Sequence, residues 1–143
     1  MNDCVFCRIA AKEIAAETVY EDDRVLAFLD AHPHVPGHLL VIPKRHAADL
    51  AELPDEDVAP FFSAVKKLSK TLAAALRADG MTIGINQGAA GGQAVPHLHL
   101  HLMPRFADDG GGSVHTVVVN PPQESLGAIA ARIRRALSPH AGN

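Results

Sequence analysis

The stretch His97-Leu98-His99-Leu100-His101-Leu102-Met103 alternates an imidazole with an aliphatic side chain, and a period of two is the pattern of a β-strand with one buried face. Leu98, Leu100 and Leu102 are expected in the core, and His97, His99 and His101 together on the opposite face. Three imidazoles in one row are improbable as surface decoration. Two chemistries use such a row: neutral imidazoles can ligate a metal, or one imidazole can attack phosphorus while its neighbours hold and protonate the phosphate. Imidazole suits the second role because it is largely neutral near pH 7 and becomes a good leaving group once bonded to phosphorus. Spacing alone does not choose between them.

Just upstream, Asn86-Gln87-Gly88-Ala89-Ala90-Gly91-Gly92-Gln93 is a Gly-rich loop. Its glycines let backbone N–H groups approach an anion, and its amide side chains add donors. Neither a GxxxxGK[ST] phosphate loop nor a GxGxxG fingerprint occurs. Residues 81–86 read as a strand leading into this loop. Before it, Val58, Phe61, Phe62, Val65, Leu68, Leu72 and Leu76 recur at helical spacing behind Asp55, Glu56 and Asp57. They predict one long helix over residues 55–78, closed by Asp79-Gly80. Earlier still, residues 17–21 and 25–30 read as a hairpin around Asp22-Asp23, and residues 38–43 as a mostly buried strand. A short helical turn is read over residues 7–12. After the loop containing Gly110, Gly111 and Gly112, residues 117–119 read as an edge strand and residues 123–137 as a terminal helix. This order contains no βαβ series. It predicts an α+β fold with an antiparallel sheet, one long helix and a C-terminal helix, in a single domain spanning 1–143.

Composition narrows the function. The chain has 143 residues, 48% hydrophobic and 20% charged, with 13 basic residues against 16 acidic and a net charge of −3. That balance excludes global disorder and gives no general attraction to nucleic acid or anionic lipid, so a small-molecule partner is favoured. No apolar run approaches the roughly 18 residues a membrane span needs, and the N-terminus lacks the pattern of a secretory signal. A cytoplasmic protein is expected. The two cysteines, Cys4 and Cys7, are separated by two residues; the pair reads as half a zinc site, a redox pair or chance. A thioredoxin-like role wants a strand ahead of the pair, and none is read there. His46 and His97 are available as two further donors for a tetrahedral metal. His32, His34 and His38 lie in or beside a Pro-rich connection and read as surface or turn residues, His38 at the start of a strand near the proposed pocket. His115 and His140 read as exposed, and Arg132, Arg134 and Arg135 as a solvated helix face.

Taken together, these residues resemble the histidine triad (HIT) nucleotide hydrolases and transferases, whose signature is three histidines alternating with apolar residues. The likeness extends over nearly the whole chain: Cys4-Val5-Phe6-Cys7, the strand Val25-Leu26-Ala27-Phe28-Leu29-Asp30, the run Gly37-His38-Leu39-Leu40-Val41-Ile42-Pro43-Lys44-Arg45-His46, and Gly91-Gly92-Gln93 are similar to the purine nucleoside phosphoramidase-like Hint branch. The resemblance implies that His99 attacks the α-phosphorus of a purine nucleotide, an AMP or GMP derivative, giving a covalent nucleotidyl-histidine that water hydrolyses. His101 then contacts phosphate oxygens. Asp30 matches the acid that binds the ribose hydroxyls, and Asn86, Gly92 and Gln93 match phosphate-side contacts. The zinc-bearing subgroup implies a structural zinc on Cys4, Cys7, His46 and His97, with no catalytic cofactor. Ala94 departs from the Ser or Thr that many Hint-type members carry after Gly-Gly-Gln, which removes a hydroxyl that could assist the leaving group. The resemblance also implies a homodimer paired through the long helix and an adjacent strand. The rival readings are a metal enzyme using His97, His99 and His101, a nucleotide-binding or scaffolding protein with residual catalysis, and a nucleotidyltransferase or dinucleoside polyphosphate hydrolase.

Overall fold

Asp22 closes the first hairpin. Its carboxylate accepts from the backbone N–H of Arg24 at 2.8 Å and of Val25 at 2.7 Å, and from the Tyr20 hydroxyl at 2.7 Å. This Asx turn joins β1 (Thr18–Glu21) to β2 (Val25–Leu29). The computed structural model describes residues 3–138 and falls into two units divided after Gly111. The first holds α1 (Val5–Ala10), β1, β2, β3 (Leu39–Pro43), α2 (Asp55–Leu76), β4 (Gly80–Ile85) and β5 (Leu100–Arg105). Its five strands run β1-β2-β3-β5-β4, every neighbour antiparallel. The α+β architecture expected from the sequence is what forms.

Each sheet face is covered by a different helix. On one face Val25, Ala27, Leu39, Val41, Leu98, Leu100 and Leu102 pack against Phe61, Ala64, Val65 and Leu68 of α2. On the other, Leu26, Phe28, Leu40 and Ile42 pack with Cys4 and Phe6. Such a double-sided sheet explains why β3 reads as a continuous aliphatic run. Pro60 sits inside α2, and a proline there cannot donate to the carbonyl four residues back. That carbonyl, on Glu56, receives the Arg24 guanidinium at 3.4 Å. Arg24 also pairs with the buried Asp57, which Arg45 approaches at 3.5 Å. The helix stops at Arg77, a left-handed residue (φ 54°), and the N–H groups there return to Ala73 and Ala74. The sequence placed the stop at Asp79-Gly80; Gly80 instead begins β4.

The histidine stretch differs from its expected form. The ladder starts only at Leu100, which pairs with Val41 and Ile85, so His97 and His99 precede the strand. The Leu98 N–H goes to the Ala47 carbonyl at 2.7 Å, outside the sheet. Nor is the histidine face open: His97 is fully buried and His99 is 5% exposed. The second unit contains a turn at Val114–Thr116 and α3 (Leu126–Leu137), N-capped by Ser125, which accepts from the Ala128 N–H at 3.2 Å. This cap lies beyond Pro121-Pro122 and sets the helix start three residues later than the sequence suggested. Residues 117–119 form no strand among the described residues; Val117, Val118 and Val119 are 80, 67 and 90% exposed, without the neighbouring ladder an edge strand requires. His115 is exposed as expected, and His140 lies outside the described residues. No helix among the described residues is long and apolar enough to cross a membrane.

Candidate active site and metal centre

Helix α1 opens with Cys4 as its N-cap, Sγ accepting from the Cys7 N–H at 3.4 Å. One helical turn therefore presents both sulfurs to the same side. Cys4 Sγ lies 3.3 Å and Cys7 Sγ 3.5 Å from His97 Nδ1, and Cys7 Sγ lies 3.3 Å from His46 Nδ1. All four donor atoms fall within 4.8 Å of one another, a set of two sulfurs and two imidazole nitrogens suited to a tetrahedral borderline metal. The proton on His97 is fixed by its other nitrogen, which donates to the Pro43 carbonyl at 2.8 Å. This leaves the Nδ1 lone pair facing the sulfurs, the orientation a ligating histidine needs. Burial also lowers the His97 pKa and keeps the ring neutral. Burial, then the adjacent Cys4 thiol, push Cys7 up to about 11; a dication among these donors would supply the missing positive charge.

Two residues on, His99 Nδ1 donates to the His97 carbonyl at 2.7 Å, and Phe6 packs edge-on against both rings, with centroids 5.9 Å from His97 and 5.2 Å from His99. The free lone pair of His99 is therefore on Nε2. The His101 ring lies 5.1 Å from that of His99. Its Nδ1 meets Nε2 of His38 at 2.8 Å, while His38 Nδ1 accepts from the His34 N–H at 3.2 Å. The His38 proton must then sit on Nε2 and be donated to His101, whose own proton is left on Nε2. That atom is buried without a partner among the described residues. Burial, then the neighbouring His99 and His38, bring the His101 pKa down to about 4; burial also lowers His38.

Sheet register explains how residues so far apart in sequence meet. Leu40 pairs with His101, and the Asp30 N–H bonds to the His38 carbonyl at 2.9 Å, extending the β2–β3 ladder by one step. Parity puts Asp30, His38 and His101 on the α1 face, His38 diagonal to His101. Asp30 Oδ2 is 3.6 Å from His38 Nε2, and Oδ1 accepts from the His32 N–H at 2.9 Å. The three donor atoms are close enough to hold a cation, but a metal would need both imidazole lone pairs at once. The His34 N–H opposes moving the His38 proton to Nδ1, so the group is wired as a proton-sharing set. A cavity of about 400 Å³ borders Asp30 and His38, walled by Leu29, Pro33, Val35 and Pro36.

The Gly-rich loop is held by its own residues. Gly88 and Gly92 are left-handed (φ 72° and 84°), a conformation open to glycine. A Cβ on Gly92 would stand 4.0 Å from the Asn86 side chain, so these two proposed contacts are neighbours. The Gln93 amide donates to Ala48 at 2.6 Å and Val95 at 3.0 Å and accepts from Gly88 at 2.9 Å, bracing the loop with all these bonds internal. Sequence reasoning missed His38, which is only 2% exposed rather than a surface residue. The signal was its parity: it stands two places before Leu40 in a strand buried on both faces.

The chain compares closely with known proteins. A family model described as HIT domain matches residues 11–108. The structure of SMU.412c from Streptococcus mutans superposes with a TM-score of 0.87 at 40% identity, covering 96% of this chain and 87% of that one. A Zn-bound histidine triad family protein from Mycobacterium smegmatis superposes with a TM-score of 0.73 at 36% identity, covering 94% and 98%. Among sequence relatives, adenylylsulfatase HINT3 of Arabidopsis thaliana is 42% identical over 76% of this chain and 55% of its own length.

Proposed function

Because the chain belongs to the HIT domain family, in which a nucleotide-binding or hydrolase role is implied, we propose that it hydrolyses purine nucleotides at the α-phosphate, with His99 as the nucleophile. The observation that carries this reading is the 2.7 Å bond from His99 Nδ1 to the His97 carbonyl. It fixes the tautomer that leaves Nε2 as the attacking lone pair and stabilises the positive ring formed on attack. In the first step Nε2 bonds to phosphorus and the bond to the leaving group breaks. Water then attacks phosphorus, the P–N bond breaks with its electron pair returning to Nε2, and one water proton passes to solvent. His101 donates from Nε2 to a phosphate oxygen. Asp30 accepts from the ribose hydroxyls, while Asn86 and the backbone around Gly92 donate to phosphate. Gln93, whose amide is already bonded within the loop, positions these donors.

The substrates proposed are purine nucleoside phosphoramidates or related nucleotides, and the adenylylsulfatase relative adds sulfate to the leaving groups worth testing. Cys4, Cys7, His46 and His97 would hold a structural zinc; bound there, the metal would tie α1 to the segment carrying His99. A homodimer through α2 and the edge strand β4 is in keeping with the exposed Phe62 and Ile83; light scattering that gives only monomer contradicts it. For catalysis, wild type and His99→Ala are incubated with adenosine 5′-phosphoramidate, with and without a chelator, and AMP is followed by chromatography. Metal-independent release that disappears in His99→Ala is expected. AMP formation by His99→Ala at the wild-type rate rules out the nucleophile.

A further inference from the structure

Cys4 and Cys7 are placed to react with each other as well as to hold a metal. Cys4 caps α1 and Cys7 is its third residue, so one turn brings both sulfurs to one side. They meet the same nitrogen, His97 Nδ1, at 3.3 and 3.5 Å, and lie within 4.8 Å of each other. Both thiols are free, Cys4 buried and Cys7 partly exposed. The chain has no other cysteine, so a disulfide within it has one possible pairing. The difference in exposure assigns the roles: the Cys7 sulfur meets an oxidant first, and the buried Cys4 sulfur resolves the product.

Oxidation and metal binding exclude each other at these sulfurs. A sulfur that ligates a dication is held as thiolate, the form that attacks a peroxide. Once the sulfurs are joined, His46 Nδ1 and His97 Nδ1 are left, and among the described residues no other donor is grouped with them. Two neutral nitrogens fall short of the four ligands of a closed zinc site. The sulfurs are also what tie α1 to His46 and His97. Phe6 lies between them on the same turn, 7% exposed, with its ring edge-on to His97, to His99 and to Phe28 at 5.6 Å. A change at the sulfurs therefore reaches the packing behind His99.

Resting on the zinc reading above, we propose that Cys4 and Cys7 are a site of reversible oxidation by hydrogen peroxide, whose disulfide expels the metal and moves Phe6 against His99. In the first step Cys7 Sγ attacks one peroxide oxygen and the O–O bond breaks. The departing hydroxide takes a proton from solvent and leaves as water, and Cys7 becomes a sulfenic acid. Cys4 Sγ then attacks Cys7 Sγ, the S–O bond breaks, and hydroxide again leaves as water with a proton from solvent. The two sulfurs are oxidised by one electron each, the peroxide is reduced to water, and zinc passes to solvent. A dithiol restores both thiols by exchange.

The test treats zinc-replete wild type with hydrogen peroxide in the presence of a chromogenic chelator. The tryptic peptide ending at Arg8, which holds both cysteines, is read by mass spectrometry without reduction. Release of about one zinc per chain is expected in step with the Cys4–Cys7 disulfide, and dithiothreitol with added zinc should restore thiols and metal together. Imidazole NMR signals of His99, which sense the Phe6 ring, should shift on oxidation and return on reduction. Zinc-loaded Cys7→His keeps four donors but has no second sulfur, and peroxide should release its metal at least about tenfold more slowly. Zinc retained under peroxide, zinc lost with only sulfinic acid or cross-linked chains formed, or release from Cys7→His as fast as from wild type overturns the inference and leaves the zinc reading intact. His99 signals unmoved after the disulfide has formed overturn the link to the nucleophile. Wild type that takes up no zinc when zinc is supplied removes the zinc reading and the inference with it.

Discussion

Replacing His38 by Ala perturbs a residue that touches no proposed substrate atom, yet it should change both stability and catalysis. The side chain is 2% exposed, accepts from the His34 N–H and donates to His101. Losing two hydrogen bonds costs about 2 kcal/mol, and the space left by the ring adds about 1 kcal/mol. A loss of about 3 kcal/mol lowers Tm by about 10 °C for a chain of this size. The catalytic effect follows from the tautomer. Without the His38 donor, His101 is free to carry its proton on either nitrogen, and kcat should fall by about tenfold, equivalent to about 1.4 kcal/mol. Imidazole 15N NMR reads the cause directly: wild-type His101 should show a protonated Nε2 and a bare Nδ1, and His38→Ala a mixture. His38→Gln, which keeps an N–H donor, should recover part of kcat. An unchanged His101 tautomer together with an unchanged kcat in His38→Ala would refute this reasoning.

Gly37 is left-handed (φ 80°), and a Cβ there would stand 2.1 Å from Leu76 Cδ1. Gly37→Ala should cost about 1–3 kcal/mol in urea unfolding, mostly as backbone strain because the leucine tip can move; an unchanged midpoint contradicts this. His38 and His101 are held neutral by burial, with His101 lowered from 6.5 to about 4. Between those values the unfolded chain binds more protons than the folded one, so the stability they contribute is complete above pH 6.5 and is lost as pH falls toward 4. The urea midpoint should drop from pH 7 to pH 5, and drop less in His101→Asn; equal drops in both proteins dismiss His101 as a source. Zinc content after denaturation should be about one per chain in wild type and far lower in Cys7→Ser, with Tm falling when the metal is removed. Equal zinc in both proteins would exclude Cys7 as a ligand.

What could be read from the sequence was mostly local. The Asp22 turn, the aliphatic β3 and the apolar stripe of α2 are written in neighbouring residues, and all three form within a residue or two of where they were expected. The four candidate metal donors also lie together, although they are spread over more than 90 positions; that grouping came from the resemblance, which supplied what spacing could not. His38 was not legible in this way. Its role depends on β3 lying beside β5, which brings it within 2.8 Å of a residue 63 positions away. The alternation across His97–Met103 was real but overextended: Leu98 faces the α2 core as read, while its N–H leaves the ladder for Ala47. Val117, Val118 and Val119 have strand propensity but pair with no strand among the described residues, a preference that tertiary context overrides. Gln93 read as a phosphate donor because its type and place suited one; only in the folded chain is its amide engaged inside the loop.

The claim on which the rest depends is that Nε2 of His99 bonds covalently to phosphorus. Rapid acid-free quenching of wild type mixed with adenosine 5′-phosphosulfate, followed by peptide mass spectrometry, tests it most directly. The account predicts an adenylyl group on the peptide carrying His99, formed and consumed at rates matching turnover and absent from His99→Ala. Steady AMP production with no adduct at any time, or an adduct on His101 in its place, would contradict it.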